Sequence, residues 1–464
     1  MNASESSPPP VVLLVDNRKR DLDQAALIAH QLRNLGVECF LEPLEAFRAV
    51  VGAYRPGMII FNHMMASHLV TWSNRLADIG VLTAVLSNEG MYLKSDDMRF
   101  NSGQFHRDGH LDFFFCWNSQ HRDGLLTERA YRDARVEVVG VPRFDFYFEP
   151  WSRVVYEKPS RPSDRKRILA CTNFGLAKFW ELPRAAGDKF FSAWASRMPL
   201  YEDYWGAIQS HWKSQQKFIE YLRPLAGTGK YDIILRPHPT EGRAVYENSL
   251  SQLPASERER ISIDSESNIS KLILGCDIEI SGESCTTAVE SWIAGKPTIE
   301  LIFDRHPMLY SEERSQGNVH CGDPADLPAM VASQLANPAQ TELRDVRQSY
   351  LEKWCATPDG NACRRVAEIV AQAVKSKRPA DWSKLTLNDH RRSAKLKFFR
   401  RLGEPYHFDP LLQIKRWLSR DRYAIRQIAQ DKAVRPADVI AARNRLNSVA
   451  NKEAARPNVS SAHE

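Results

Sequence analysis

The sequence has no apolar run approaching the roughly 18 to 20 residues needed to cross a bilayer. Its opening, MNASESSPPPVVLLVDNRKR, lacks the basic start, long apolar stretch and small-residue cleavage site of a secretory leader. Both absences lead to the expectation of a cytoplasmic protein. The eight cysteines, at 39, 116, 171, 276, 285, 321, 355 and 363, form no CxxC pair, and a chain of 464 residues needs no disulfide staples. They are expected to be reduced and mostly buried. No segment recurs with the period of a solenoid.

What is present is the composition of a packed globular protein: 43% apolar, 26% charged and 10% aromatic residues. A single core stops growing near 250 to 300 residues, so 464 residues imply two domains and something extra. The net charge of +6 is uneven. Residues 381–464 hold 18 Lys/Arg against 9 Asp/Glu, which makes that tail +9 and the remainder −3. Such a tail suits either a solvated helical face or an anionic membrane surface. Some aromatics interleave with its basic residues, but no nucleic-acid-binding motif accompanies them.

Residues 1–10, ending in three prolines, read as a disordered lead. VVLLVD (11–16) suits a strand covered on both faces, and RDLDQAALIAHQLRNLG (20–36) has helical spacing that stops at glycine. VECFLE, GMIIFN, LTAVLSNEG, DFFFCWN and VEVVGVP continue the alternation, which predicts a parallel, helix-covered sheet over 11–148. The proline- and charge-rich stretch 149–166 reads as a linker. A second α/β series over 167–376 runs through RILACTNFG, a long helical stretch around 185–225, YDIILRPHP, ISID, CDIEIS and KPTIELI. Residues 377–464 form the basic, mostly helical tail with a disordered end. Two open α/β domains separated by a cleft follow from this order, with ligands expected at the carboxyl ends of the strands.

Four loops after strands could carry chemistry. In GESCTT, before the helix TTAVESWIAG, free amides at a helix start and Thr hydroxyls suit a phosphate, although Ser and Thr there also serve as plain N-caps. In LRPHPTEGR, prolines fix the direction of His238, which could donate to a leaving phosphate with Arg236 adding charge or supporting the loop. In LSNEG, a tight turn presents Glu89, either as a base or as a solvated turn residue. In VVGVPRFDFY, Pro142, Arg143 and Asp145 suit a structural hinge braced by a salt bridge.

The ordered set NEG, VGVPRFDF, LRPHPTE and SNISKLILGCDIEISGESCTTAVESWIAGKPTIEL resembles bacterial surface-carbohydrate (polysaccharide or lipopolysaccharide) biosynthesis glycosyltransferases of the GT-B fold. The turn and the His-Pro element are also similar to those of sialyltransferase-like and Kdo-transferase-like enzymes. The resemblance implies two Rossmann-like domains facing across a cleft, an acceptor domain first and a nucleotide-sugar donor domain second. It implies Glu89 as catalytic base and His238 as phosphate ligand or acid. Arg236, Ser284, Thr286, Thr287, Glu290, Thr172 and Asn173 would bind the donor, with Glu290 at the ribose hydroxyls. Asn88 stands where an acidic pair would have its first carboxylate, which leaves Glu89 alone to fit.

The implied reaction moves a sugar from a nucleotide donor, a CMP-linked acidic sugar such as Kdo or a nonulosonate, to a glycan or lipid-linked acceptor hydroxyl. No cofactor and no metal are expected. The nearest DxD-like run is Ser95-Asp96-Asp97, in the first domain. The basic tail would hold the enzyme at the inner membrane face. Two alternatives stand beside this: a polyol-phosphate transferase using a CDP-glycerol-type donor, and a catalytically silent GT-B subunit that binds nucleotide or glycan within an assembly complex.

Overall fold

Each short apolar run read as a strand is a parallel strand in a computed structural model of the chain, which describes residues 7–64, 66–94, 97–98, 108–131, 133–158, 164–196, 198–338, 342–418 and 432–455. The first sheet contains β1 (Val11–Val15), β2 (Cys39–Pro43), β3 (Met58–Phe61), β4 (Leu82–Leu86), β5 (Phe113–Cys116) and β6 (Arg135–Val138). Their order is β2-β1-β3-β4-β5-β6, with Val11 opposite both Cys39 and Met58. β1 and β3 are buried along their whole length, which is why they show no polar alternation.

The second sheet contains β7 (Lys166–Cys171), β8 (Tyr231–Arg236), β9 (Ile261–Ile263), β10 (Ile278–Ser281), β11 (Thr298–Leu301) and β12 (Val319–Cys321). Its order is β12-β11-β10-β7-β8-β9, again parallel. β12, a three-residue strand with exposed His320 at its centre, is too short and polar to show as an apolar run in the sequence. The long helical stretch divides into Arg184–Ala195 and Tyr204–Gly227. All eight cysteines are free and buried.

Contacts divide the chain into two units: Met1–Met91, Met98–Val154 and Lys353–Glu464 in the first, Tyr92–Asp97 and Val155–Glu352 in the second. The chain thus returns to the first unit at Lys353, whereas the sequence reading assigned residues up to 376 to the second domain. The Ala362–Ser376 helix buries Val366, Val370 and Val374 on one side and packs against the Arg18–Asn34 helix. The tail helices Leu387–Arg401 and Pro436–Ala454 join the same unit through Arg75–Asp389, Arg400–Glu42 and Arg445–Asp23 ion pairs. Of the lead, Pro9 lies against Gly57 and the Pro10 carbonyl accepts from its N–H at 2.7 Å. Residues 1–6, 159–163 of the linker, and 419–431 and 456–464 of the tail lie outside the described residues, as do Ser95 and Asp96.

In each sheet the direction of strand addition reverses once, between β1 and β3 in the first and between β7 and β10 in the second. Loops leaving the carboxyl ends of strands at such a point diverge and leave room for a ligand.

Candidate functional site

In the second unit, the turn 282–285 carries the chain from β10 into the Thr286–Ile293 helix at this reversal. The Gly282 N–H donates to the Cys171 carbonyl at 3.2 Å, and Asn173 Nδ2 donates to the Glu283 carbonyl at 2.6 Å, tying the turn to the end of β7. A Cβ at position 282 would sit 2.7 Å from Asn173 Oδ1, so the close approach requires glycine. Ser284 has φ +53°, a left-handed conformation held by its surroundings. Its hydroxyl accepts the Ser311 N–H at 2.7 Å, and Arg314 Nη1 donates to its carbonyl at 2.6 Å.

The helix begins at Thr286, and its N-cap, Cys285, makes no side-chain capping bond. Plain N-capping therefore does not account for the Ser/Thr cluster. The Thr287 hydroxyl turns inward and donates to Glu279 at 2.8 Å, and the Thr286 hydroxyl makes no hydrogen bond among the described residues. Of the three hydroxyls assigned to a phosphate cradle, Thr286 alone stays open; Ser284 and Thr287 are committed to the fold. Glu290, one turn along, is buried. Glu279 has no exposure, and burial pushes its carboxyl up to about 8, helped by neighbouring Glu300 and opposed by the Thr287 and Ser281 hydroxyls.

The His-Pro loop leaves the adjacent strand β8. Buried Thr172 accepts the His238 N–H at 3.1 Å and donates to Glu241 at 2.9 Å. Glu241 also accepts the Phe174 N–H at 2.6 Å and the Tyr246 hydroxyl, so one carboxylate holds the ends of β7 and β8 together. Burial pushes the Glu241 pKa up, against these hydrogen bonds. In the sequence Glu241 shows only as a carboxylate three residues after His238, with Tyr246 on the next helix.

Thr240 N–H donates to His238 Nδ1 at 3.3 Å, and the Thr240 hydroxyl lies 2.8 Å from the same nitrogen. This assigns the ring proton to Nε2. Desolvation by surrounding chain, then Lys178 and Arg236, push the His238 pKa down to about 4, although the residue keeps solvent exposure. The ring is a neutral donor at neutral pH. Half-buried His211, pushed down to about 3 by desolvation, accepts the Leu176 N–H at 3.3 Å and supports the same loops. Arg236 donates to the Asp264 carbonyl at 3.0 Å, which gives it the loop-supporting role.

In the first unit, the turn after β4 is stapled to Trp117. Its Nε1 donates to the Ser87 carbonyl at 2.7 Å, and a Cβ on Gly90 would meet Trp117 atoms at 2.7 Å. Glu89 stands out from this turn, 72% exposed, with Arg20 Nη1 at 3.5 Å. Arg20 is held by Asp21 at 2.7 Å, and Asn88 Nδ2 donates to Asp21 at 3.4 Å. Asp21 therefore supplies a second carboxylate beside the turn, from another element, where the sequence carries Asn88. Its pKa is raised by burial against the pull of Arg20.

Arg143 and Asp145 go to different places. Arg143 lies over Trp117 at 4.5 Å and donates to the Asn88 carbonyl at 3.4 Å, supporting the Glu89 turn. Asp145 caps the Ala362–Ser376 helix, accepting the Ala362 and Cys363 N–H groups at 3.0 and 2.8 Å. Pro142 opens the 3-10 turn, Pro142–Tyr147, that carries both residues.

The two parallel six-stranded sheets with flanking helices define an α/β fold of the GT-B type. The chain is similar to the wall teichoic acid polymerase TagF, with a TM-score of 0.50, 12% identity, and coverage of 79% of this chain and 90% of that one. It is also similar to a UDP-N-acetylglucosamine 2-epimerase (0.49, 12%, 79% and 96%) and to a glycosyltransferase from Rickettsia africae (0.44, 12%, 80% and 100%). At such identity the likeness shows the fold alone, and the TagF match carries it. No protein-family model and no curated protein matches the sequence.

Proposed function

We propose that the chain is a glycosyltransferase whose second unit binds the donor nucleotide. The observation that carries this reading is the uncapped start of the Thr286–Ile293 helix at the β7–β10 reversal, with the Thr286 hydroxyl open. Free amides there, together with the helix dipole, favour a phosphate. His238, whose N–H is held by Thr172 at the end of the neighbouring strand β8, would in this reading offer a neutral Nε2–H to the same charge.

In this scheme the acceptor hydroxyl loses its proton to Glu89 and attacks the anomeric carbon. The bond from that carbon to the donor phosphate breaks, and the phosphate leaves with the nucleotide. His238 and the helix amides stabilise the charge that builds on the departing oxygen. The donor class we propose is a CMP-linked acidic sugar, on the sequence resemblance, and the acceptor a surface glycan.

A thermal-shift screen of CMP, CDP, UDP and their sugar conjugates tests the reading. A ligand at 100 times its Kd stabilises by about 2.7 kcal/mol. The cognate donor should raise Tm in the wild type and give about half that stabilisation in Thr286→Val, whose affinity is about tenfold weaker; a screen with no shift would sink the proposal. A second reading, a polyol-phosphate transferase, is favoured by the likeness to TagF. Turnover of CDP-glycerol with phosphate retained in the product would establish it instead.

A further inference from the structure

The Leu387–Arg401 helix is two-sided. One side is fastened to the first unit: Asp389 pairs with Arg75, the Ser393 hydroxyl donates to the Ala49 carbonyl at 2.8 Å, and Leu396 is 2% exposed. The other side leaves Phe398 and, four residues on, Leu402 in the open at 58% and 60% exposure. The next helix, Leu412–Leu418, buries Leu412 and repeats the pattern. Leu411, Ile414 and Trp417, spaced three apart and so on one stripe, are 54%, 58% and 85% exposed.

Basic residues flank these apolar residues in the sequence. Residues 390–418 hold eight Lys/Arg against two Asp/Glu. Arg391, Lys397 and Arg401 are exposed and have no ion-pair or hydrogen-bond partner among the described residues. Large apolar side chains standing in water among unpaired cations are disfavoured unless something covers them. Aromatic and aliphatic groups interleaved with Lys and Arg suit an anionic lipid interface, where rings enter the headgroup layer and cations meet lipid phosphates. No helix among the described residues is long and apolar enough to cross a membrane, so the contact would be with the bilayer surface.

We propose that residues 391–417 form a membrane-docking surface for anionic bilayers, with Phe398, Leu402, Ile414 and Trp417 inserting and Arg391, Lys397 and Arg401 supplying the charge attraction. This is independent of which donor the second unit binds. Because the first of these helices is part of the first unit's packing, point variants test it better than truncation.

The experiment is sedimentation of the full chain with phosphatidylglycerol-containing vesicles and with pure phosphatidylcholine vesicles. Wild type should bind the anionic vesicles about tenfold or more tightly, and less as salt rises. Phe398→Ser/Leu402→Ser/Ile414→Ser/Trp417→Ser should lose about tenfold or more of that binding, and Lys397→Gln/Arg401→Gln should weaken it while leaving Tm unchanged. Brominated lipid should quench a fluorescence component that Trp417→Phe lacks. Equal binding to both vesicles, unchanged binding in the apolar variant, or quenching identical in wild type and Trp417→Phe would overturn the proposal. So would a wild-type dimer that the apolar variant converts to monomer without affecting lipid, which would assign the surface to a second copy of the chain.

Discussion

The Thr287 hydroxyl donates to the carboxyl of Glu279 at 2.8 Å, beneath the helix that begins one residue earlier. Neighbouring threonines therefore do different work. Thr286→Val should raise the donor KM about tenfold, the loss expected for one hydrogen bond to a charged phosphate, while leaving Tm unchanged. Thr287→Val should lower Tm with a smaller effect on KM. Steady-state kinetics beside differential scanning fluorimetry separates the two; the opposite pattern would place the phosphate on Thr287.

Glu279 ties stability to pH. Its folded pKa of about 8 lies above the value of 4.5 for an exposed carboxyl. The folded state thus holds a proton that the unfolded chain releases, and this contribution is fully present below about 4.5 and lost as pH rises through about 8. Between pH 5 and 9 the wild type should lose several degrees of Tm more than Glu279→Gln, at about 2–4 °C per kcal/mol for a unit of this size. Parallel curves for the two proteins would show that Glu279 is not protonated in the folded state.

His238→Ala should lower transfer by about 100-fold or more with little change in Tm. Because the His238 pKa is pushed down to about 4, the ring stays neutral through the physiological range. The pH profile of kcat/KM should then lack an imidazole limb near 6.5, and a limb there that disappears in His238→Ala would contradict the neutral-donor role.

Glu89→Gln should reduce kcat by about 100-fold or more, and the exposure of the side chain means the fold should not notice. Arg20→Ala should act more weakly, through the direction of Glu89, and lower kcat rather than abolish activity. Wild-type turnover in Glu89→Gln removes the base assignment.

Asp145→Ala should cost about 1–2 kcal/mol by leaving two helix-start amides without a partner. Asp145→Asn, which keeps one acceptor, should cost less. Donor-induced thermal shifts should survive in both variants, since Asp145 touches only the first unit's packing.

The sheets were legible because their central strands are short, wholly apolar and flanked by helical spacing, as in Val11–Val15 and Met58–Phe61. The loops that matter were legible by position, each following such a strand. What the sequence hid was direction. A run such as Ser-Cys-Thr-Thr does not show that Ser284 takes a left-handed turn and that Thr287 points at a buried carboxyl. Nor does it show that Asp21, 67 residues before Asn88, lies beside the Glu89 turn. Glu241 and His211 were missed for the same reason: their partners come from other elements. The return of the chain at Lys353 was hidden because helical spacing runs through it without a compositional break.

That return has a consequence for synthesis. Ala362 and Cys363, whose amides Asp145 accepts, leave the ribosome only after the roughly 200 residues of Val155–Glu352 have been made. At roughly 5–20 residues per second the delay is about 10–40 s. Through it, the surface of the Arg18–Asn34 helix that later receives Ala362–Ser376 has no cover, and the unit started first is finished last. Nascent chains arrested just past residue 352 should resist protease in the second unit before the first, which would make the start of the chain a client for chaperones until its end is translated.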